Sequence, residues 1–568
     1  MRNPLLIIGL LCWSCCTELG AQGLVRALSD SSSFTLNGNV DLSFGYYDAF
    51  GDIAPRRDRY QYLFSGNLNP RIAGFDAPLS AVYSQQETTF LQPFNRIGLS
   101  PRYKNLTAHL GFRSLVWSPL TLNGHLFLGV GAEYAHRPTR GPLHYHVRAM
   151  YGRLRRAVEP LEAEREGFFA SYRRMGWATS FGVSSRRNAT NFIHLILLSS
   201  EDRLNSIEAP LRTPDIKPEA NLNLGINAQV QLLRRVVLKV DAARSALTRD
   251  RRDDRAAAPG GLLDLFGSLY TPTVSTEIND ALRTDLRYAD QQRFVGVSYN
   301  RIAPGYRTHG SYFFQNDLEE LTANAGTRLL AGKANLALSV GTQRNNLDGA
   351  QETAQRRFIG SLAWTHNVNR RLNYNLNFSN FSSALLVQRD VLSDSLNLYQ
   401  ISTNYTASAN YTIDDPVRTQ RLGLVLSHQI GNSRDEYFID EDLTRFWNAG
   451  ATYLLGFPRI EASAQLGLNL TVNDTGLFSS TNVGPSLGIG KKFMDKKIYV
   501  RYVLSHLTNL QDGQARFGVL TNRLNLNYRF HPKHTARVGL VTLGKNDRRD
   551  RARSYSELTA RLGYRFRF

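Results

Sequence analysis

The chain has 568 residues and a formal net charge of +20, from 68 Lys and Arg residues against 48 Asp and Glu residues. All three cysteines lie at or before Cys16, which excludes disulfide scaffolds, thiol nucleophiles and cysteine metal sites from the rest of the chain. Mean hydropathy is −0.32, and no apolar run beyond the N-terminus approaches the roughly 18 residues that a membrane-spanning helix needs.

The N-terminus has the organisation of a secretory signal peptide. A short cationic start, Met1–Asn3, precedes an apolar run from Leu5 to Trp13, and Leu19–Ala21 supplies small residues for cleavage. This apolar core is too short to span a bilayer. We therefore expect residues 1–21 to be a cleaved signal peptide and residues 22–568 to form one exported domain. Export argues against nucleic acid as the partner of a basic chain and favours anionic solutes or lipid head groups.

Strand-like alternation begins soon after the predicted cleavage point. From Phe34 to Phe44, apolar residues alternate with Thr, Asn, Asp and Ser. Successive side chains of a strand point to opposite faces, so one face of this segment is apolar and the other is polar. The pattern recurs at residues 372–379, 462–470 and 524–530, and no linker divides the chain. It predicts an all-β fold, a large transmembrane antiparallel β-barrel.

Three segments have weak strand character: residues 155–167, 186–218 and 246–289. Within the last of these, residues 247–288 open with alternating charges and continue to an apolar cluster whose spacing suits a short helix better than a strand. The cluster consists of Leu262, Leu263, Leu265, Phe266, Leu269 and Tyr270. We predict that this segment either folds inward and occludes the lumen or binds a partner. A disordered loop is the alternative.

The connections between the predicted strands alternate between short and long. Tight turns fall at residues 331–333, 367–369, 414–416, 457–458, 494–495 and 531–532. Longer polar loops, such as Gly431–Arg445, lie between them. Aromatic residues crowd the short-turn ends at Tyr411, Phe457, Phe493, Phe530 and Phe568. Short periplasmic turns, longer external loops and an aromatic girdle are typical of outer-membrane barrels. At about 20 residues per strand and connection, the chain has room for roughly 22–26 strands.

The final strand carries the clearest alternation. Its apolar face ends in Tyr564, Phe566 and Phe568, and its polar face includes Arg561, Arg565 and Arg567. In its last dozen or so residues, about one transmembrane strand, this segment resembles the C-terminal insertion signal of Gram-negative outer-membrane proteins. The resemblance implies location in the outer membrane, contact with its lipid, and recognition of the three aromatic residues by the barrel-assembly machinery during biogenesis. An even number of strands would place both termini in the periplasm.

Arginines on the polar strand faces are the candidate pore-lining residues. They are Arg501, Arg529, Arg537, Arg561, Arg565 and Arg567. Rings of arginine in a pore favour anions. The alternative is that they form salt bridges with residues such as Glu461 and Glu557 and brace a polar interior, because a buried arginine needs a partner.

Other motifs do not indicate a cofactor, a metal or catalysis. Gly488–Lys491 lacks the spacing and the hydroxyl residue of a phosphate loop. His144 and His146 share a strand face without a third ligand, and the acidic residues 435–442 depart from the calcium-loop pattern. We expect no catalytic residue, no metal and no cofactor. A rim enzyme, whose residues converge only in the fold, is the weakest of three hypotheses.

The leading hypothesis is a channel or transporter for polar, anionic solutes. The alternative is a non-conducting barrel that serves as a scaffold or subunit of an outer-membrane assembly or secretion complex. Barrels of about 16–18 strands already leave an aqueous channel. A barrel of the predicted size therefore needs a segment of its own chain or a protein partner to seal its lumen.

Overall fold

A computed structural model describes most of the chain from Phe34 to Phe568. The residues outside the description are 1–33, 73, 86–94, 137, 139–140, 160–169, 189, 209–215, 257–268, 313–314, 352, 388–397, 414, 436–441 and 477. The predicted signal peptide therefore lies outside the described residues. Within the described part, every helix is a short 3-10 turn, and none is long and apolar enough to cross a membrane.

The strands follow one another along the whole described chain. In order they are β1 Thr35–Gly51, β2 Tyr60–Ile72, β3 Phe75–Asp76, β4 Leu79–Ser84, β5 Arg96–Leu99, β6 Arg102–Tyr103, β7 Leu106–Val116, β8 Asn123–His136, β9 Leu143–Arg155, β10 Arg174–Ser185, β11 Phe192–Asp202, β12 Ala220–Leu233, β13 Val236–Thr248, β14 Thr276–Ala289, β15 Arg293–Ile302, β16 Leu318–Leu329, β17 Ala334–Arg344, β18 Thr353–Asn367, β19 Leu372–Val387, β20 Leu398–Ile413, β21 Thr419–Asp435, β22 Asp442–Phe457, β23 Ala462–Asp474, β24 Ser479–Phe493, β25 Ile498–Gln511, β26 Gln514–His531, β27 His534–Asp547 and β28 Tyr555–Arg567.

The strands form one closed antiparallel sheet. Each pairs with its neighbours in the chain, and β1 pairs with β28 from Asn39 opposite Arg567 to Gly51 opposite Tyr555. β3 and β4 both pair with β2, and β5 and β6 both pair with β7, so each couple is one interrupted strand. The described residues thus make a barrel of 26 strands. The predicted fold class is confirmed, with the strand number at the upper end of the expected range.

The two faces of the sheet have opposite chemistry. Leu466 and Leu468 of β23 are 56% and 53% exposed on the outward face, whereas Gln465, Gly467 and Asn469 face inward. Exposed leucines at this density are unfavourable in water, but hydrocarbon contact stabilises them. Closure also satisfies the backbone hydrogen bonds of every strand, which a membrane requires because lipid offers no partners.

The barrel has two different rims. The short-turn rim carries the predicted tight turns, for example Leu330–Gly332 between β16 and β17 and Pro458–Ile460 between β22 and β23. Phe457, Phe493 and Phe530 lie at or beside strand ends on this rim. The long-loop rim carries most of the longer connections, although β25 and β26 are joined there by a tight turn at Asp512–Gly513. β1 begins and β28 ends at the short-turn rim.

The sequence prediction was wrong about the extent of the non-strand segments. Residues 192–202 form β11, and residues 276–289 form β14, so the connection that was expected to span 247–288 spans only 249–275. On the outward face of β14, Ile278, Leu282 and Leu286 are separated by polar residues, and this spacing of four imitates a helix. One of those polar residues, Asp280, is neutralised by two hydrogen bonds from Arg244 of β13 at 2.7 and 2.8 Å.

Candidate functional site

One connection from the long-loop rim lies inside the barrel. Residues 303–312, between β15 and β16, form what we call the docked loop. Its Tyr306 is fully buried, donates a hydrogen bond of 2.6 Å to the Leu120 carbonyl and accepts one of 2.9 Å from the Asn223 amide of β12. The Thr308 hydroxyl donates to the Thr121 carbonyl at 2.7 Å. The loop is thus bonded both to the inner face of the wall and to the connection between β7 and β8.

A buried charge cluster lies beneath the docked loop. Asp202, at the end of β11, is fully buried and accepts hydrogen bonds of 2.8 Å from both Arg155 and Arg174. Arg174 also bonds Glu219 at 2.6 Å, and Arg307 of the docked loop reaches Glu219 at 3.0 Å. A buried charge is tolerated only when it is paired, and here each carboxylate has more than one cationic partner.

His309 connects the docked loop to this cluster. Its Nδ1 lies 2.8 Å from the Ser200 hydroxyl, and its Nε2 lies 3.3 Å from a Glu219 carboxylate oxygen. Burial, reinforced by the positive charge of Arg174, lowers the pKa of His309 to about 3. Burial would raise the pKa of Glu219, but His309 and the arginines Arg174 and Arg307 outweigh it and hold that pKa well below its usual range. At neutral pH the histidine is therefore neutral and the glutamate is ionised.

An apolar layer inside the barrel supports the same region. Leu122, from the connection between β7 and β8, packs with Phe127, Met150 and Leu198 on the inner face of β8, β9 and β11. Sequence reasoning missed this layer, although a signal existed. Residues 195–198 are apolar on both strand faces, a pattern that indicates a strand covered on both sides.

All six predicted arginines lie on the inner face of β25–β28, together with Arg523, which sequence reasoning missed. We call these seven residues the arginine strip: Arg501, Arg523, Arg529, Arg537, Arg561, Arg565 and Arg567. Arg523 could have been found, because it continues the alternation of β26 by one step beyond Leu524. The strip is thus contributed by adjacent strands next to the β1–β28 closure.

Only some members of the strip are paired. Arg565 forms an ion pair with Asp41 of β1, and Arg501 donates to the Gln465 side chain at 2.9 Å. The other five are exposed, and their guanidinium groups form no hydrogen bond or ion pair with any residue that the structure describes; they are Arg523, Arg529, Arg537, Arg561 and Arg567.

The carboxylates proposed as salt-bridge partners of these arginines have other contacts. Glu461 lies 3.4 Å from Lys496, and Glu557 accepts a 3.1 Å hydrogen bond from Tyr47 and lies 3.5 Å from Arg56. Salt bridges between the arginine strip and Glu461 or Glu557 therefore do not occur among the described residues.

Glycines leave room around the free arginines. Arg537 stands opposite Gly563, and Arg561 stands opposite Gly539 on one side and Gly45 on the other. A glycine has no side chain to cover its cross-strand neighbour, so these guanidinium groups stay accessible from the lumen. The inner face of β13 and β14 differs, because there Arg283 and Arg287 alternate with Asp241 and Asp285.

The predicted insertion residues cluster on the outward face at the short-turn rim. Tyr564 pairs with Leu42 and Phe566 with Val40 across the closure, and the rings of Phe566 and Phe568 are 4.5 Å apart. The backbone N–H of Phe568 donates to the Gly38 carbonyl at 3.1 Å. The three aromatic residues therefore extend the apolar exterior to the last residue of the described chain.

The plug prediction fails for Tyr270. This residue packs against Ala220, Leu222 and Ala246, which belong to the outward face of β12 and β13, and its hydroxyl lies 2.5 Å from that of Thr248. Leu269 beside it is exposed. An apolar cluster needs a surface to cover, and the outer wall supplies one as readily as the lumen. The other predicted plug residues, Leu262, Leu263, Leu265 and Phe266, lie outside the described residues.

No family model and no curated relative matches the sequence. The solved structures that resemble the fold are outer-membrane β-barrel proteins. The FrpB iron transporter from Neisseria meningitidis (F3-3 variant) is 9% identical, with 96% of this chain and 83% of that chain covered and a TM-score of 0.38. The P pilus usher (PapC) translocation pore is 12% identical, with coverages of 94% and 99% and a TM-score of 0.29. Acinetobacter baumannii OccAB4 is 11% identical, with coverages of 69% and 98% and a TM-score of 0.28.

Proposed function

We propose that this chain is an outer-membrane barrel that passes polar, anionic solutes, with both termini in the periplasm. The observation that carries the proposal is the arginine strip, in which five guanidinium groups on the inner wall lack a protein partner among the described residues. The apolar exterior supports a membrane location. The shared rim of the short turns and the two chain ends supports the periplasmic assignment.

The polarity of the inner wall supports passage of hydrophilic solutes. Elsewhere on the wall, the inner faces of β19 and β20 carry neutral amide and hydroxyl groups, such as Asn373, Asn375, Ser408 and Asn410. Beside the strip, Asp41 of β1 forms an ion pair with Arg565 and offsets the positive charge of that arginine. Clustered positive charge on a low-dielectric wall concentrates anions near it.

The size of the barrel supports a second candidate, a lumen filled by a protein partner. With strands about 4.8 Å apart and tilted by about 40°, 26 strands give a backbone circumference of roughly 160 Å and a diameter of roughly 50 Å. The docked loop and residues 117–122 cover one side of the wall. An outer membrane does not tolerate an open hole of this width, so a scaffold or secretion role with a bound protein is the alternative.

Planar-bilayer recording separates the two candidates. For the purified chain, the proposal predicts stable conductance and a reversal potential of the anion-selective sign in a salt gradient. Conductance without selectivity, or with cation selectivity, would contradict the anionic passage. A barrel that is correctly assembled, conducts nothing and co-purifies with a stoichiometric protein would instead support the scaffold role.

A further inference from the structure

The arginine strip extends far along the wall rather than forming a single point. It starts at Arg567 on the short-turn rim and reaches Arg523 of β26. Arg523 pairs with Val541 of β27, which in turn pairs with Thr559 of β28, so Arg523 lies at the height of Thr559 on the wall. At about 3.4 Å per residue, the distance along β28 from Arg567 to Thr559 is roughly 27 Å. Neighbouring strands are only about 5 Å apart, so an extended ligand on this wall would meet several arginines at once.

Screening decides which anions such a strip can hold. The Debye length at physiological ionic strength is about 8 Å, whereas the lumen axis lies on the order of 20 Å from the inner wall of a barrel this wide. A small anion near the axis would therefore sense the arginines weakly, and the strip would attract small anions only close to the wall. A chain of linked anionic groups lying on the wall would sense all of them, because each further contact is intramolecular once the first has formed.

The residues between the arginines indicate the chemistry of that chain. On the inner face of β26 they are Asn525 and Asn527, and on β27 and β28 they include Gly539 and Gly563. Amide side chains donate to and accept from hydroxyl groups. Nonspecific binding of single-stranded nucleic acid uses a series of aromatic platforms on which bases stack. The inner face between the described arginines carries amides and glycines instead, with Tyr499 of β25 as a single aromatic ring among them. Sugar hydroxyls fit the asparagines, and carboxylates fit the guanidinium groups, which bind them with two parallel hydrogen bonds.

We propose that the arginine strip is a binding track for a linear acidic polysaccharide, which lies along the inner wall of β25–β28 as it passes through the barrel. This inference rests on the proposed function and names its substrate class. The carboxylates of the sugars would pair with Arg567, Arg537, Arg561 and Arg523 in turn. Arg565 would contribute less, because Asp41 already neutralises it.

The test is equilibrium binding of a fluorescently labelled oligogalacturonate to the detergent-solubilised full chain, followed by fluorescence anisotropy. We expect saturable binding that weakens with added salt and that neither dextran of the same length nor monomeric galacturonate displaces at matched concentration. The variant Arg537→Gln/Arg561→Gln should weaken binding by at least about tenfold, because it removes two charge-assisted contacts. The matched control Arg283→Gln/Arg287→Gln, with the same charge change elsewhere on the inner wall, should change it less than about twofold.

Each contrary result has a separate meaning. Absence of oligogalacturonate binding by wild-type barrel with normal heat-modifiable mobility would overturn this inference, as would equal weakening by the two double variants. Equally tight binding of an oligothymidylate of the same charge would overturn the assignment to a polysaccharide. An anion-selective pore that fails these binding tests would leave the proposed function standing. Oligogalacturonate binding by a barrel without anion selectivity would refute only the passage of small anions.

Discussion

Removal of one hydroxyl from the docked loop tests whether the loop is held in place as the structure shows. The change is Tyr306→Phe, which keeps the ring but deletes the hydroxyl that bonds the Leu120 carbonyl and the Asn223 amide. The Leu120 carbonyl and the Asn223 amide are then left without that partner in a buried site. Each unsatisfied buried group costs about 1–3 kcal/mol, so the loss of a partner by two groups should weaken docking by roughly 2–6 kcal/mol. At about 1.4 kcal/mol per tenfold, this corresponds to an increase in the opening equilibrium of roughly 30-fold to 20,000-fold.

Hydrogen–deuterium exchange measures that equilibrium directly. The amide of His309 donates to the Asn221 side chain at 3.2 Å, and the amide of Asn123 donates to the Gly310 carbonyl at 2.8 Å, so both are hydrogen-bonded across the contact between the loop and the wall. Their exchange should accelerate by the factor given above. Tyr299→Phe is the matched control, because its hydroxyl bonds Glu319 on the outward face at 2.8 Å. Acceleration below about threefold, or equal acceleration in both variants, would refute the role given to Tyr306.

Three further predictions address acid, insertion and membrane orientation. Because the pKa of His309 is about 3 in the docked state and about 6.5 when exposed, the undocked loop takes up a proton that the docked loop excludes, so docking should weaken as pH falls from about 6.5 toward 3. The protection of residues 303–312, measured relative to the intrinsic amide exchange rate at each pH, should fall over this range, and a pH-independent protection factor would count against the account. Deletion of Phe568 should reduce outer-membrane yield and heat-modifiable mobility, whereas normal values for both would remove the insertion role of this residue. Leu468→Arg should destabilise the barrel by about 2–4 kcal/mol in lipid refolding assays, whereas Asn469→Arg on the inner face should have a much smaller effect. Equal effects of the two substitutions would contradict the assignment of the faces.

The barrel could be predicted from the sequence because a pattern among adjacent residues marks each strand. Alternation between adjacent residues marks both the strand and its lipid-facing side, and it repeats in strand after strand. β14 escaped because Asp280 and Thr284 occupy outward positions, leaving Ile278, Leu282 and Leu286 at helical spacing. The partner that makes Asp280 tolerable there, Arg244, lies on a neighbouring strand and is not evident from the local pattern.

The lumen was predictable only in part, for the same reason. The inward direction of the arginines follows from alternation, and the structure agrees for all six that were named. Their pairing does not follow, since Glu557 was a plausible partner until Tyr47 and Arg56 were found beside it. The docked loop depends on contacts between segments distant in sequence, such as Tyr306 with Leu120, and no local pattern encodes them.

Cysteine accessibility tests the central claim, that the arginine strip faces a water-filled and positively charged lumen. The chain suits this measurement because it has no cysteine after Cys16. In Arg561→Cys, a charged, membrane-impermeant methanethiosulfonate should react readily, and an anionic reagent should react faster than a cationic one of similar size. In Leu562→Cys, on the outward face, the same reagents should react at least about tenfold more slowly, because lipid excludes them. Equal reactivity at the two positions, or faster reaction of the cationic reagent at position 561, would contradict the account.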